Sequence, residues 1–200
     1  LGHDGLSAGL AEAATLCPPP TVVPGQALPP AFRRRLARVA TEDPAPILAL
    51  VGGYGSGKRA AAQEVAREAG APLLELALPL LARPWTDGLR LALRDARLPG
   101  AVLYVRGWDA LLEREEHLEP LLALLAGYPG CVLLGSEREW QPPHRRFARP
   151  FHLLPLPEAD YQRRLSLWED AVAPAEPGTV EPGDLQALAN QFAFTPGEIG

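Results

Sequence analysis

The sequence predicts a three-layer α/β domain, a parallel sheet with helices on both faces, followed by a smaller helical unit. Three observations carry this prediction. Five short runs, ILALV (47–51), PLLELAL (72–78), AVLYV (101–105), CVLLG (131–135) and FHLLPL (151–156), are apolar at nearly every position instead of alternating, as strands buried on both faces are. Helical patterns separate the runs, the arrangement of parallel strands joined by crossovers. Beyond Pro157 the runs cease and amphipathic helices follow.

In chain order, residues 1–29 are rich in Ala, Gly and Pro and are expected to be an N-terminal extension. A short helical patch, LSAGLAEAATL, leads there into a proline-stiffened linker, CPPPTVVPGQALPP. The α/β core is expected over 30–157. It opens with a helix near Pro30, whose Phe32, Leu36 and Val39 recur at helical spacing while the arginines of FRRRLAR form a solvated face. Further helices are predicted from Lys58, Thr86 and Leu111, with a shorter one near Trp140. The helix after Leu111 exposes EREEHLE and turns Leu111, Leu112, Leu118, Leu121 and Leu122 inward. A truncated helical lid over 158–200 follows, formed by EADYQRRLSLWEDAV and PGDLQALANQF. The closing FTPGEIG reads as a helix start with Thr195 as N-cap and Pro196 at the first position; with no methionine in the chain, a fragment of a longer polypeptide is expected.

Composition narrows the function classes. The chain is 47% hydrophobic and 22% charged, with a net charge of −5, a balance that argues against a general nucleic-acid binder. No apolar run is long enough for a bilayer and no signal peptide opens the sequence, so a cytoplasmic protein without a membrane partner is expected. Cys17 and Cys131 match no metal or redox spacing, and the four histidines are scattered, so no metal site is expected.

Lys58 is the only lysine, every other basic residue of the Lys+Arg set being arginine. It ends Gly52-Gly53-Tyr54-Gly55-Ser56-Gly57-Lys58, which fits G-x-x-x-x-G-K between a buried strand and a helix, the context of a phosphate-binding loop. Glycines let successive backbone N–H groups turn toward phosphates, and the helix N-terminus adds partial positive charge. A compact, mobile ammonium reaches between terminal phosphates where a planar guanidinium fits poorly. The next residue departs from the motif: Arg59 stands where a Ser or Thr hydroxyl would ligate Mg²⁺.

AVLYVRGWDALL resembles the second signature of the AAA+ ATPases, in which a hydrophobic strand ends in Asp-Glu. The order of strands, the HRRFARPFHLLPLPEADYQRRLSLW passage and the helical lid after it extend the resemblance over about residues 30–200, and it is similar to the modules of Cdc48-like ring ATPases. The resemblance implies ATP or ADP as ligand, assembly into a homo-oligomeric ring of hexamer type, and protein clients. Arg106 and Gly107 occupy the positions of the acidic pair, and Asp109 falls two to three positions too far along. With Arg59, three groups that would serve the metal or the attacking water are missing while the cradle remains. The expectation is a degenerate module of a larger machine that binds nucleotide and hydrolyses it weakly or not at all, with no ligands for Mg²⁺. Arg59 and Arg106 either approach the phosphates in place of the divalent charge or fill the site. The competing readings are an active ATPase that uses Asp109 and a nucleic-acid-associated AAA+ loader.

Arg145, Arg146 and Arg149 lie where the family places arginine fingers that reach a neighbouring subunit, Arg146 fitting best; the alternative is a solvated basic stretch. Ser136 falls near the family's polar sensor residue or is a strand-end turn. Trp85 matches an aromatic pore-loop position or packs beside its own helix. The lid's sensor arginine would fall after Gly200.

Overall fold

The computed structural model describes residues 6–21, 28–142, 149–158, 161–172 and 182–191. The elements are β1 (Ala14–Cys17), α1 (Pro30–Ala40), β2 (Ile47–Val51), α2 (Lys58–Glu68), β3 (Leu73–Ala77), α3 (Trp85–Arg97), β4 (Val102–Arg106), α4 (Asp109–Leu112), α5 (Glu115–Ala126), β5 (Val132–Ser136), β6 (Phe151–Pro155), α6 (Tyr161–Val172) and α7 (Pro182–Gln191). The six strands form one sheet in the order β1-β3-β4-β5-β2-β6. Pairing is parallel throughout except for β1, which runs antiparallel along β3. The predicted three-layer α/β architecture is therefore present, and the five apolar runs are its five parallel strands.

The lack of alternation in those runs has a direct cause. Successive side chains of a strand point to opposite faces, and here both faces are covered. Leu103 and Val105 join the core beneath α3 and α5, whereas Val102 and Tyr104 join the core shared with α1 and α2. Ile47 belongs to the first core, Leu48 and Leu50 to the second. Among the later helices, α6 and α7 meet through Arg164 Nε, which donates to the Ala189 carbonyl at 3.0 Å.

Three expectations need correction. Residues 1–29 are not only a linker: Leu10 is fully buried, Ser7 donates from its N–H and its Oγ to Asp95 at 2.7 Å each, and Ala14–Cys17 pair with β3. The alanine-rich composition favours helix, but the open edge of β3 supplies ladder partners that outweigh so weak a preference. The helix expected from Leu111 starts at Asp109 and is broken near Arg114, whose φ of −140° and ψ of 71° are not helical. No helix forms near Trp140 among the described residues; that ring packs instead against Trp108 and Phe151, at centroid distances of 5.6 and 5.3 Å. The helix start at Thr195 lies outside the described residues.

Arg149 ties the base of the sheet together. It is buried, and its guanidinium donates to the carbonyls of Ala45 (2.6 Å), Leu125 (2.9 Å), Pro46 (3.2 Å), Gly130 (2.6 Å) and Tyr128. Those acceptors lead into β2, end α5 and precede β5, so a single side chain joins three segments. Its place as an arginine-finger candidate is thereby corrected, because a group bonded to five internal carbonyls does not reach a neighbour. Arg145 and Arg146 lie outside the described residues.

A second tie fixes α2. Glu64 is buried and accepts from Arg33 on α1 (2.9 and 2.8 Å) and from Arg67 one turn along (3.0 and 3.1 Å). The hydrogen bond from Arg67, with help from Arg33, holds the Glu64 pKa below the usual carboxylate range although burial pushes it up. A depressed folded-state pKa gives stability that is full above the unfolded value and lost as pH falls through the folded one.

Two outcomes follow from these ties. Replacing Arg149 with Met leaves five buried carbonyls without that donor, and a loss of about 3 kcal/mol or more is expected in urea unfolding; a loss under about 1 kcal/mol would refute the role. The urea midpoint should also fall as pH drops below the ordinary carboxylate range. Glu64→Gln should flatten that fall, and an unchanged pH profile would refute the assignment.

Candidate functional site

The site lies at the C-terminal ends of the parallel strands, where an open α/β sheet presents its loops. The loop after β2 is held at its start by the Gly52 N–H, which donates to the Ser136 carbonyl at the end of β5 at 3.1 Å. It then turns through Gly55 and Gly57, with φ of 70° and 100°, conformations that side chains with a Cβ rarely adopt. Gly57 precedes the first turn of α2, and the Ala61 N–H returns to the Gly57 carbonyl at 2.9 Å. Two of the glycines the sequence singled out, Gly55 and Gly57, are therefore conformational requirements of this turn.

Lys58, the first residue of α2, curls over the loop. Its ammonium donates to the Gly53 carbonyl at 2.8 Å and to the Gly52 carbonyl. Burial holds its pKa below the ordinary lysine range, while the carboxylates of Glu137 and Asp109 oppose the shift. Ser56 carries a buried Oγ with no hydrogen-bond partner among the described residues. Tyr54 stands out into solvent, 74% exposed. A polar hydroxyl without a partner, a mobile ammonium and a helix N-terminus converge on one turn. That donor set fits phosphate oxygens.

The positions that would serve a divalent cation do not fit one. Arg59 is held on β3: its Nε donates to both carboxylate oxygens of Glu75 at 2.9 Å. Arg59 was expected either to approach the phosphates or to fill the site; here β3 engages it instead. Leu73 lies in the core beneath α2, so Glu75, two residues on, faces the same helix, and with its side chain only 11% exposed it calls for a cation. Glu75 was not singled out in the sequence, though a lone acid inside PLLELAL was the available signal.

Arg106 ends β4, exposed, in register with Ala77 on β3 and Gly135 on β5. Gly107 has φ of 74°, and a Cβ there would lie 2.7 Å from both Cγ and Cδ of Pro79. A side chain at position 107 therefore meets both backbone strain and the Pro79 ring, a constraint that sequence spacing does not reveal. Asp109, the displaced-acid candidate, is engaged by the backbone. Its carboxylate accepts from the Glu137 N–H (3.1 and 2.9 Å) and the Arg138 N–H (3.2 Å), which secures the loop after β5. Among the described residues no group of three or more His, Cys, Asp or Glu is placed to hold a metal.

The remaining candidates are engaged locally. Ser136 is buried and its Oγ donates to the Arg138 carbonyl at 2.9 Å. Trp85 is buried at the start of α3, edge-on to His117 at 5.8 Å and beneath the Arg83 guanidinium at 5.1 Å, which matches packing beside its own helix. Among the described residues no helix is long and apolar enough to cross a membrane.

The fold, with a glycine-rich loop between β2 and α2, one strand separating β2 from β4 and helices after the sheet, is similar to that of solved AAA domains. A structure solved to explain katanin self-assembly superposes with a TM-score of 0.68 at 20% identity, over 85% of this chain and 64% of that one. The FIGL-1 AAA domain in complex with ADP superposes with a TM-score of 0.72 at 16% identity, over 94% of this chain and 73% of that one. The chain thus spans slightly less than two thirds of the katanin structure. No family model and no curated protein matches the sequence.

The Gly107 geometry is directly testable. Gly107→Glu should lower stability by about 2 kcal/mol, from left-handed backbone strain and the contact with Pro79. A thermal midpoint equal to the parent's would contradict it.

Proposed function

We propose that this chain is a nucleotide-binding AAA+ module that takes ATP or ADP and does not hydrolyse it, working within a larger ring-forming ATPase that remodels proteins. The single observation that carries the reading is an asymmetry. The phosphate cradle from Gly52 to Lys58 is complete, while all three positions for metal and water chemistry are filled by Arg59, Arg106 and a glycine at which a side chain is strained. On binding, phosphate oxygens take the place of the Gly52 and Gly53 carbonyls as acceptors for Lys58, exchanging neutral partners for anionic ones. Ser56 Oγ gains a partner at the same time.

Phosphoryl transfer depends almost wholly on positioning and charge neutralisation. Without the acid pair and the hydroxyl, the barrier rises by several kcal/mol, on the order of 10³-fold or more in rate. The nucleotide then acts as a structural ligand, stabilising the folded module through its binding free energy. The FIGL-1 domain's ADP complex and the katanin work on self-assembly support nucleotide binding and assembly as properties of this fold. A hexameric ring, protein clients and a cytoplasmic setting belong to the same proposal. The amide bonds of Asp109 weigh against a displaced-acid ATPase, and the net charge of −5 weighs against a nucleic-acid loader.

Isothermal titration with ATP and ADP tests the reading. Binding is expected, weakened about tenfold or more by Lys58→Ala, with no phosphate release above the buffer rate. Binding that Lys58→Ala leaves unchanged would remove this loop from the function, and release abolished by that substitution would make the module a working ATPase.

A further inference from the structure

We infer that the site takes the nucleotide's polyphosphate free of metal, with the Arg106 guanidinium as a phosphate ligand where a magnesium-binding carboxylate would stand. The inference rests on reading Gly52–Lys58 as a nucleotide loop. Strand geometry gives the direction. Val102 and Tyr104 lie in the core shared with α2, and Arg106 continues the same alternation, so its side chain leaves β4 on the face that carries the α2 N-terminus.

Register gives the distance. Arg106 pairs with Gly135, and Gly135 pairs with Leu50, two residues before Gly52. Two inter-strand steps place the Arg106 Cα about 10 Å from that of Leu50. The residue between them is a glycine, so no β5 side chain stands in the way. The Tyr104 ring covers that gap instead: a Cβ at Gly135 would lie 2.8 Å from Tyr104 Oη.

The neighbouring cations are committed elsewhere. Arg59 is bonded to Glu75, Arg138 to Glu113 at 3.0 Å, and Arg149 to internal carbonyls. Arg106 is exposed and has no hydrogen bond or ion pair among the described residues. Lys58, the α2 N-terminus and Arg106 therefore present positive charge to one space; of the two carboxylates that act on Lys58, Asp109 is held by backbone amides, and Glu137 by itself does not make a cation site. A metal-free polyphosphate carries the larger negative charge and is the better complement. The planar fork of a guanidinium binds two of its oxygens at once.

Titration of the whole chain with ATP in EDTA and in excess MgCl₂ tests this. The parent should bind at least as tightly in EDTA as in magnesium. Arg106→Ala should weaken ATP binding in EDTA about ten- to hundredfold, Arg106→Lys should fall between the parent and the alanine variant, and a thermal melt should show both variants folded. Binding that requires magnesium, or an Arg106→Ala affinity in EDTA equal to the parent's, overturns the inference and leaves the loop reading intact. No binding under either condition overturns both.

Discussion

The guanidinium of Arg149 is the constraint on which the sheet depends. A parallel sheet gains no register from tight turns, because its strands are joined by long crossovers and meet only through tertiary contacts. Here a buried cation gathers the carbonyls that enter β2, precede β5 and close α5. Burying a guanidinium without a carboxylate is costly, and five oriented carbonyl dipoles offset that cost only if all three segments are in place. Loss of any one leaves charge or carbonyls unsatisfied, so the tie acts as a register lock. Five residues of β2 separate it from the phosphate loop, and the order at the base of the sheet is transmitted along that strand.

At the other end the loop is tied in turn to β5, through the Gly52 N–H and the Ser136 carbonyl. The two ends of β2 are therefore held by different chemistry. Below is an ionic tie through a side chain, and above is a backbone bond that leaves the loop's remaining N–H groups directed by their glycines. The Arg33–Glu64–Arg67 cluster sets α2 against α1, so the helix N-terminus that faces the loop is positioned by its own far end.

Charge is distributed around this loop in an unusual way. A metal-dependent phosphate site surrounds its cation with oxygens, and the cation then organises the phosphates. This chain places two nearby carboxylates in structural bonds, Glu75 to Arg59 and Asp109 to two backbone amides, and leaves arginine at the end of β4. Pro79 and the backbone of Gly107 disfavour a side chain of any kind at that position.

How much of this was legible in the sequence depends on the range of each cause. Gly52–Lys58 was readable because a left-handed turn and a compact ammonium are properties of single residues at fixed spacing, and the five parallel strands were readable because burial on both faces removes alternation within a short window. The substitutions at Arg59, Arg106 and Gly107 were readable as identities. What those side chains touch was not. Arg59 meets Glu75 sixteen positions away, Gly107 meets Pro79 across a strand connection, and Arg149 meets carbonyls up to 104 positions distant. The sheet edge formed by residues 14–17 escaped for the same reason, since a strand of four residues rich in small side chains is specified by the neighbour it pairs with. The sequence by itself determined the cradle and the layering, which are local. Only the tertiary structure decided which charges remain free to meet a ligand, because partner choice is settled by packing between segments distant along the chain.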